Sequence, residues 1–225
     1  MLELFNNAPM PDVGKINNLS LFIKRQQMTR ILFMYELYKK VVPIHGSVME
    51  FGVRWGQDMA MWECFRGMLE PYNYNRKIIG FDTFAGFPSV SEHDRASVGD
   101  LGVTAGYEYF LEQVLQKQEA ESPIPIQKFR LVKGNVMDTL PAYLKTYPET
   151  LIAFAYFDLD LYEPTRFCLD AIEECLVRGS VIGFDELNNH NWPGETKAFL
   201  ESLAYCHKLR RLPWAPTMSY IVWGE

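Results

Sequence analysis

The feature that most constrains the fold of this chain is an apolar run at residues 47–51 that leads directly into a glycine turn. Gly52 and Gly56 follow the run, and a segment with helical character covers residues 58–69. Glycine adopts backbone conformations closed to other residues, and it lets other groups approach bare backbone. A buried strand, a glycine turn and a helix in this order predict an α/β sheet that binds ligands at the carboxyl ends of its strands.

The turn alone is compatible with two interpretations. It can hold a nucleotide-type cofactor over residues 52–56, or it can be a tight connection between a strand and a helix with no ligand. Short glycine patterns are weak signals, so the turn by itself does not decide between them.

Apolar segments and helical segments alternate along the rest of the chain. This alternation predicts a mostly parallel sheet with helices on both faces, and the last two segments predict a C-terminal antiparallel β-hairpin. Ser20 is the expected cap of the first helix, and residues 1–18 are expected to be a loosely fixed arm. The predicted strands are 77–84, 129–135, 151–160 and 180–186, the predicted helices are 21–40, 107–120, 138–144, 163–177 and 196–206, and the predicted hairpin arms are 208–214 and 217–223.

Length and composition favour a single soluble domain over residues 1–225. Its parts would be an N-terminal arm and helix at 1–41 and a core at 42–225, and the long polar loop at 85–106 is a predicted lid over a substrate. The formal charge of −6 argues against a nucleic-acid partner. Four cysteines without a CxxC pair indicate reduced thiols in the core, and the lack of a leader-like or membrane-spanning run indicates a cytoplasmic protein without a membrane partner.

Acidic side chains recur at the carboxyl ends of the predicted strands. Because these ends share one edge of a parallel sheet, the acids would repel one another unless a cation or hydrogen-bond donors lie among them. The sequence therefore predicts a polar ligand or a metal ion at this edge. The acids are Glu50, Asp82, Asp158, Asp160, Asp185 and Glu186.

Different acids suggest different ligands. Asp82 follows the second strand, where a carboxylate commonly accepts hydrogen bonds from ribose hydroxyls, although it could also cap the next turn. Residues 158–160 and 185–186 provide the oxygen ligands that Mg²⁺ or Mn²⁺ prefers. Asp160 could instead cap a helix, and residues 185–186 could form a solvated turn. His190 could carry a proton or contact substrate, or it could be a histidine of a surface loop.

Several motifs resemble the macrocin O-methyltransferase (TylF-like) family of class I S-adenosylmethionine-dependent methyltransferases. They occur in the order of the family and cover most of residues 42–200. These motifs are E-F-G-V-R-W-G at 50–56, G-F-D-T-F-A-G-F-P at 80–88, G-N-V-M-D-T-L-P at 134–141, D-L-D-L-Y-E-P-T at 158–165 and W-P-G at 192–194.

The resemblance implies a Rossmann-like sheet with an antiparallel last strand, and methyl transfer to a hydroxyl of a sugar or a related natural-product or glycan precursor. It implies Mg²⁺ as a second cofactor, with Asp158 as the general base. His190 is a further catalytic candidate from its position close after the acids, not from the resemblance. The implied cofactor-binding residues are Glu50, Gly52, Gly56, Asp82, Thr83, Asn135, Val136 and Asp158, and the implied magnesium ligands are Asp160, Asp185 and Glu186. The family pattern has Asp-Asp where this chain has Asp185-Glu186.

Two other functions are compatible with parts of the pattern. The D-L-D motif at 158–160 also suits a metal-dependent nucleotide-sugar glycosyltransferase, although that function would not explain residues 50–56. A catalytically silent scaffold could keep the fold and bind the cofactor without turnover. The apolar first helix could pack between two subunits, so a homodimer is a further expectation.

Overall fold

The computed structural model of the protein describes residues 1–124 and 126–225. Six strands form one sheet in the order β3-β2-β1-β4-β5-β6. The first five strands are parallel, and β6 is antiparallel to β5. The strands are β1 (Ser47–Phe51), β2 (Ile78–Asp82), β3 (Phe129–Lys133), β4 (Ile152–Phe157), β5 (Leu176–Phe184) and β6 (Ser219–Val222).

Eight α-helices are present in the described residues. They are α1 (Leu2–Asn6), α2 (Asp12–Asn17), α3 (Arg25–Val41), α4 (Gln57–Leu69), α5 (Tyr107–Glu119), α6 (Val136–Thr146), α7 (Tyr162–Ile172) and α8 (Pro193–Ser202). Two 3₁₀ turns, Leu19–Leu21 and Glu173–Cys175, precede α3 and β5. No helix among the described residues is long and apolar enough to cross a membrane.

Alternation of side chains along the central strands divides the core into two layers. Val48 packs on one face of the sheet with side chains of α3, α4 and α5. Met49 packs on the other face with side chains of α6, α7 and α8. Because successive strand residues point to opposite faces, a strand buried on both sides must be apolar throughout. The prediction of a mostly parallel sheet with helices on both faces is therefore confirmed.

The C-terminal antiparallel pairing is also confirmed, but one arm of the predicted hairpin is wrong. Only β6 is a strand, and its partner in the sheet is β5. In the predicted first arm, Arg210 forms a single antiparallel bridge with Tyr220, with both backbone hydrogen bonds at 2.8 Å. Pro213 and Pro216 flank the remaining turn and cannot donate to a sheet ladder, which accounts for the short pairing.

The N-terminal region differs most from the prediction. The helix predicted at 21–40 begins only at Arg25, and its N-cap is Lys24 rather than Ser20. Residues 1–18 hold two short helices where a loose arm was expected, and Phe5 packs edge-on against Phe22 with ring centroids 5.0 Å apart. The helix predicted at 163–177 ends at Ile172, because β5 already begins at Leu176. All four cysteines are free, but the expectation that they lie in the core is met only by Cys168, since Cys64 and Cys206 are exposed.

Candidate active site

A cleft of about 510 Å³ lies over the carboxyl ends of β1, β2, β4 and β5. Its wall is rich in acids, with seven carboxylates and only two arginines, Arg30 and Arg54, among the lining residues. Six of the carboxylates are the strand-end acids predicted from the sequence, and the seventh is Asp58. The prediction that these strand ends meet at one site is thus correct.

The glycine turn after β1 is shaped by contacts within the protein. Gly52 has φ +93°, and a Cβ there would lie 2.0 Å from the carbonyl oxygen of Asp158. Gly56 has φ +76°, and a Cβ there would lie 2.3 Å from Leu111 on α5. Both positions therefore require glycine for backbone and packing reasons alone. Gly52 also lines the cleft, so a role in holding a cofactor stays a prediction for this turn.

Glu50 is buried at the end of β1 and faces both the core and the cleft. Its Oε2 accepts a hydrogen bond from the indole nitrogen of Trp62 at 3.1 Å. Burial raises the pKa of Glu50 well above its ordinary value, and the neighbouring Asp58 and Asp158 raise that pKa further. Among the described residues Oε1 has no hydrogen-bond partner, so this oxygen can receive a donor from a molecule in the cleft.

The other predicted cofactor residues line the same cleft and are already bonded to backbone. Asp82 accepts hydrogen bonds from the backbone N–H of Arg54 at 2.7 Å and of Phe84 at 2.6 Å, so it does cap the turn. Thr83 donates to the carbonyl of Gly86 at 2.7 Å. Asn135 is the N-cap of α6, which begins at Val136. A carboxylate has about four acceptor positions, so the capping of Asp82 leaves room for a ribose.

Arg30 connects three acids from three different elements. Its Nε lies 3.0 Å from Asp58 Oδ1, and one terminal nitrogen lies 3.0 Å from Asp158 Oδ2 and also binds Asp58. The other terminal nitrogen binds Asp185. Asp185 Oδ1 also accepts a hydrogen bond from the hydroxyl of Tyr156 at 2.6 Å. A guanidinium has five donors in a planar fork and can bind several carboxylates at once.

The charges of this cluster are not balanced by Arg30 alone. Burial lowers the pKa of Arg30, but Tyr156, Asp58 and Asp185 together hold that pKa above its ordinary value. Burial, and then the neighbouring Asp185, raises the pKa of Asp158 well above its ordinary value. Asp158 thus has an environment that strengthens it as a base, because a raised pKa gives a greater affinity for a proton.

Asp160 and Glu186 form a second pair of acids beside this cluster. Their carboxyl groups are close enough to share a hydrogen bond. Burial raises the pKa of Asp160 to about 6. Burial, and then Asp160 and Asp185, raises the pKa of Glu186 to about 8. Asp160 also has φ +63°, which is unusual for a residue other than glycine and is typical of functional sites.

The predicted magnesium ligands have suitable chemistry but not a suitable arrangement. All three are oxygen donors, which fit Mg²⁺. Asp160 and Glu186 face each other, but Asp185 is bound to Arg30 and Tyr156. Within residues 1–124 and 126–225, no three His, Cys, Asp or Glu side chains are arranged to hold a metal ion.

His190 lies outside the group of cleft acids. It is exposed, and its ring nitrogens Nε2 and Nδ1 lie 2.6 and 3.2 Å from a terminal nitrogen of Arg95 in the predicted lid loop. This contact and an edge contact between Phe87 and Trp192, with ring centroids 6.0 Å apart, link the loop 85–106 to the segment before α8. A catalytic role of His190 stays a prediction.

Three charged residues of this region were not predicted. Arg30 on α3 and Asp58 on α4 have no motif or local spacing that marks them. Glu195 in the first turn of α8 is fully buried, and both of its carboxylate oxygens lack a hydrogen-bond partner among the described residues. Burial raises the pKa of Glu195 well above its ordinary value, and Asp158 and Asp185 raise it further. Its place directly after the W-P-G motif is the one sequence signal that could have drawn attention to it.

Comparisons with known proteins agree on one family. The family model described as macrocin O-methyltransferase (TylF) matches residues 24–207. A crystal structure of CalS11, a calicheamicin methyltransferase, is 44% identical with a TM-score of 0.95, over 100% of this chain and 90% of that chain. An apo structure of CalS11, described as a TDP-rhamnose 3'-O-methyltransferase of calicheamicin biosynthesis, is 41% identical with a TM-score of 0.88, over 100% and 91%.

More distant structures share the fold alone. The O-methyltransferase from Bacillus cereus in complex with SAH is 11% identical, with a TM-score of 0.55 over 98% of this chain and 96% of that chain. No curated protein matches the chain.

Proposed function

This chain belongs to the macrocin O-methyltransferase family, and we propose that it transfers a methyl group from S-adenosylmethionine to a hydroxyl of a nucleotide-linked sugar. The cofactor supplies an electrophilic methyl group on a positively charged sulfonium, and the protein supplies position and a proton acceptor. The family match sets aside the glycosyltransferase alternative.

The observation that carries the proposal is the acidic wall of the cleft. Seven carboxylates and two arginines line it, which gives a strong preference for a cationic ligand such as a sulfonium. Glu50 provides a buried carboxylate with one oxygen open to such a ligand. The cleft volume of about 510 Å³ lies within the ordinary range for sites that bind a cofactor or another small molecule.

We assign the cofactor contacts by position along the strand ends. Glu50, Gly52 and Gly56 would lie along the methionine part, of which Glu50 would receive the amino group. Asp82 and Thr83 would lie at the ribose, and the amino end of α6, at Asn135 and Val136, would border the adenine. This assignment is supported by the lining of the cleft, which includes Glu50, Gly52, Asp82, Thr83, Asn135 and Val136. Gly56 is not among the lining residues and packs against Leu111.

Asp158 is the residue that we assign as general base. It faces the cleft at the end of β4, next to the open side of the glycine turn, and its side chain is 29% exposed. As the methyl group moves to the acceptor oxygen, the hydroxyl proton would pass to Asp158 Oδ1 or Oδ2. The raised pKa of Asp158 strengthens it for this task, and Arg30 fixes the orientation of the carboxylate.

The acceptor class is proposed from one similar enzyme and from the position of the loop. CalS11 is described as a TDP-rhamnose 3'-O-methyltransferase, and the match covers 100% of this chain and 91% of the CalS11 chain. The first part of the loop 85–106 lines the cleft through Gly86, Phe87, Pro88 and Ser89, so an acceptor that enters the cleft would lie against it. We propose that the loop closes over the acceptor and excludes water.

Magnesium stays a prediction, and we assign no step of the reaction to it. The oxygen donors suit the ion, but Asp185 Oδ1 is already bound to Arg30 and Tyr156. The remaining expectations from the sequence also stay predictions; these are a single domain with the boundaries given above, a cytoplasmic location, a homodimer, and the absence of nucleic-acid and membrane partners.

A calorimetric titration tests the cofactor, and an isotope assay tests the reaction. We expect S-adenosylhomocysteine to bind the purified protein and NAD not to bind it, in Mg²⁺ and in EDTA alike. We then expect methyl-labelled S-adenosylmethionine to label TDP-rhamnose. Failure of a folded sample to bind S-adenosylhomocysteine would overturn the proposal. Binding without labelling of TDP-rhamnose or of other hydroxylated sugars would support the silent scaffold instead.

A further inference from the structure

We infer that Arg30 is the resident cation of the acidic cleft and that it competes with a divalent metal ion for Asp185. The inference concerns the same site as the proposed function and rests on it for the relevance of a metal ion. The contacts that carry the inference are independent of the reaction, and they are the hydrogen bonds of one guanidinium to Asp58, Asp158 and Asp185.

The geometry shows how completely Arg30 uses its donors on these acids. Nε and one terminal nitrogen bind the two oxygens of Asp58 side-on, and the same terminal nitrogen reaches Asp158. The second terminal nitrogen binds Asp185 Oδ1, to which Tyr156 also donates. These contacts occupy Asp185 Oδ1 and place the guanidinium charge beside it, so a metal ion that uses this oxygen has to displace Arg30.

The charge balance explains why the competition can go either way. One guanidinium faces three carboxyl groups, with the Asp160 and Glu186 pair beside them, so acidic groups outnumber basic ones in this cluster. A guanidinium cannot lose its proton at any ordinary pH, so Arg30 can leave Asp185 only by moving its side chain. The surplus of carboxylates attracts a divalent ion, and the position of Arg30 opposes its binding at Asp185.

Arg54 is a matched control within the same cleft. It is the second arginine of the wall, and its charge acts on Asp160. Its side chain forms no hydrogen bond with a carboxylate among the described residues, because only its backbone N–H binds Asp82. Replacing Arg54 removes the same charge from the cleft without freeing Asp185.

The test is a titration of the protein with Mn²⁺. Binding is measured by electron paramagnetic resonance, as the loss of the signal of the free ion. The samples are the wild type, R30Q, R54Q and the double variant R30Q/D185N, each as the full chain. We expect R30Q to bind Mn²⁺ about tenfold more tightly than the wild type, because it frees Asp185 and removes a nearby positive charge. We expect R54Q to gain much less and D185N to cancel the gain of R30Q.

Equal Mn²⁺ affinity of R30Q and the wild type would overturn the inference, and so would an equal gain in R54Q. If R30Q does not fold, R30K serves in its place. It keeps the charge but cannot span three carboxylates, so it should still bind Mn²⁺ more tightly than the wild type, and an unchanged affinity would again contradict the inference. A parallel titration with S-adenosylhomocysteine reports on the proposed function separately, since its failure would leave the competition for Asp185 intact.

Discussion

The two edges of the sheet both bury charged side chains, but only one edge balances them. At the amino ends of β2 and β3, Glu119 pairs with Arg66 and Lys128, and Glu70 pairs with Arg76. The same bases also donate to backbone carbonyls. At the carboxyl ends, seven carboxylates face two arginines. The balance of acids and bases at the amino edge is typical of a structural network. The excess of acids at the carboxyl edge is typical of a binding site.

The physical reason lies in the cost of burying charge. A buried ion is tolerated when partners replace the water that it loses, and the amino-edge network provides such partners. At the carboxyl edge the acids lack enough partners to replace the lost water. Burial therefore raises the pKa of Asp158, Asp160 and Glu186. Such strain is typical of sites whose missing partner is a ligand.

The largest expected effect is the loss of turnover in D158N. Removing the proton acceptor should lower the rate by roughly 10²- to 10⁴-fold. The affinity for S-adenosylhomocysteine should be retained, because an amide of the same shape keeps the strand end intact. Single-turnover methyl transfer and calorimetry measure the two effects. D170N, on the exposed side of α7, is the control and should keep full activity. Normal turnover by D158N would remove Asp158 from the mechanism.

The second prediction concerns the balanced edge. R76M should lower the free energy of unfolding by about 3–5 kcal/mol, because it leaves Glu70 buried without its partner. It also strips donors from the carbonyls of Val41 and Ile44. Urea unfolding measures the loss. R166M removes a partly exposed arginine that is paired with Asp170 and Glu201 and should cost about 0–1 kcal/mol. Similar losses in the two variants would contradict the distinction between the edges.

The sequence predicts the acids at the carboxyl edge of the sheet but not the ion pairs at the amino edge. The difference is whether a local pattern marks the residues. Glu50 and Asp158 follow apolar runs that ended in acids, so parallel topology alone brings them together. Arg30 meets Asp158 and Asp185 across 128 and 155 positions of sequence, with no local pattern to mark the pairing. The amino-edge pairs are likewise fixed only by how the helices pack on the sheet.

Two local predictions, the helix cap at Ser20 and the first hairpin arm, were wrong. The cap assigned to Ser20 was wrong because the residues around it form a 3₁₀ turn, and the long helix starts five residues later at Arg25. The hairpin arm at 208–214 has the composition of a strand, but it pairs with β6 only through the single bridge between Arg210 and Tyr220, because Pro213 and Pro216 cannot donate to a sheet ladder.

Glu63 is an exception to the pairing of charges at the amino edge of the sheet. It lies on α4 near Arg66, yet both of its carboxylate oxygens are buried without a hydrogen-bond partner among the described residues. Burial raises the pKa of Glu63 to about 8. The unfolded chain releases this proton near pH 4.5 and the folded chain near pH 8, so the stability contributed by neutral Glu63 is present at low pH and is lost as the pH rises between these values.

We therefore expect the free energy of unfolding to fall by up to a few kcal/mol between pH 5 and pH 8 through this group. Urea unfolding across this pH range measures the slope, and E63Q should reduce it because an amide does not titrate, while Asp160 and Glu186 keep their share. An unchanged slope in E63Q would show that Glu63 is charged and has found a partner, which would remove the exception from the balanced edge.

The smallest effect is expected at Glu195, on the surplus side. Because the surrounding acids and its burial keep Glu195 neutral, E195Q replaces one neutral group by another of the same shape. The free energy of unfolding at pH 7 should change by less than about 1 kcal/mol. If Glu195 were ionised beside Asp158 and Asp185, E195Q would relieve repulsion and stabilise the protein by about 2 kcal/mol or more. Urea unfolding distinguishes the two outcomes. A change of less than about 1 kcal/mol would mean that Glu195, which lies behind the cleft wall, is neutral. The negative charge of the site would then come only from the acids that line the cleft.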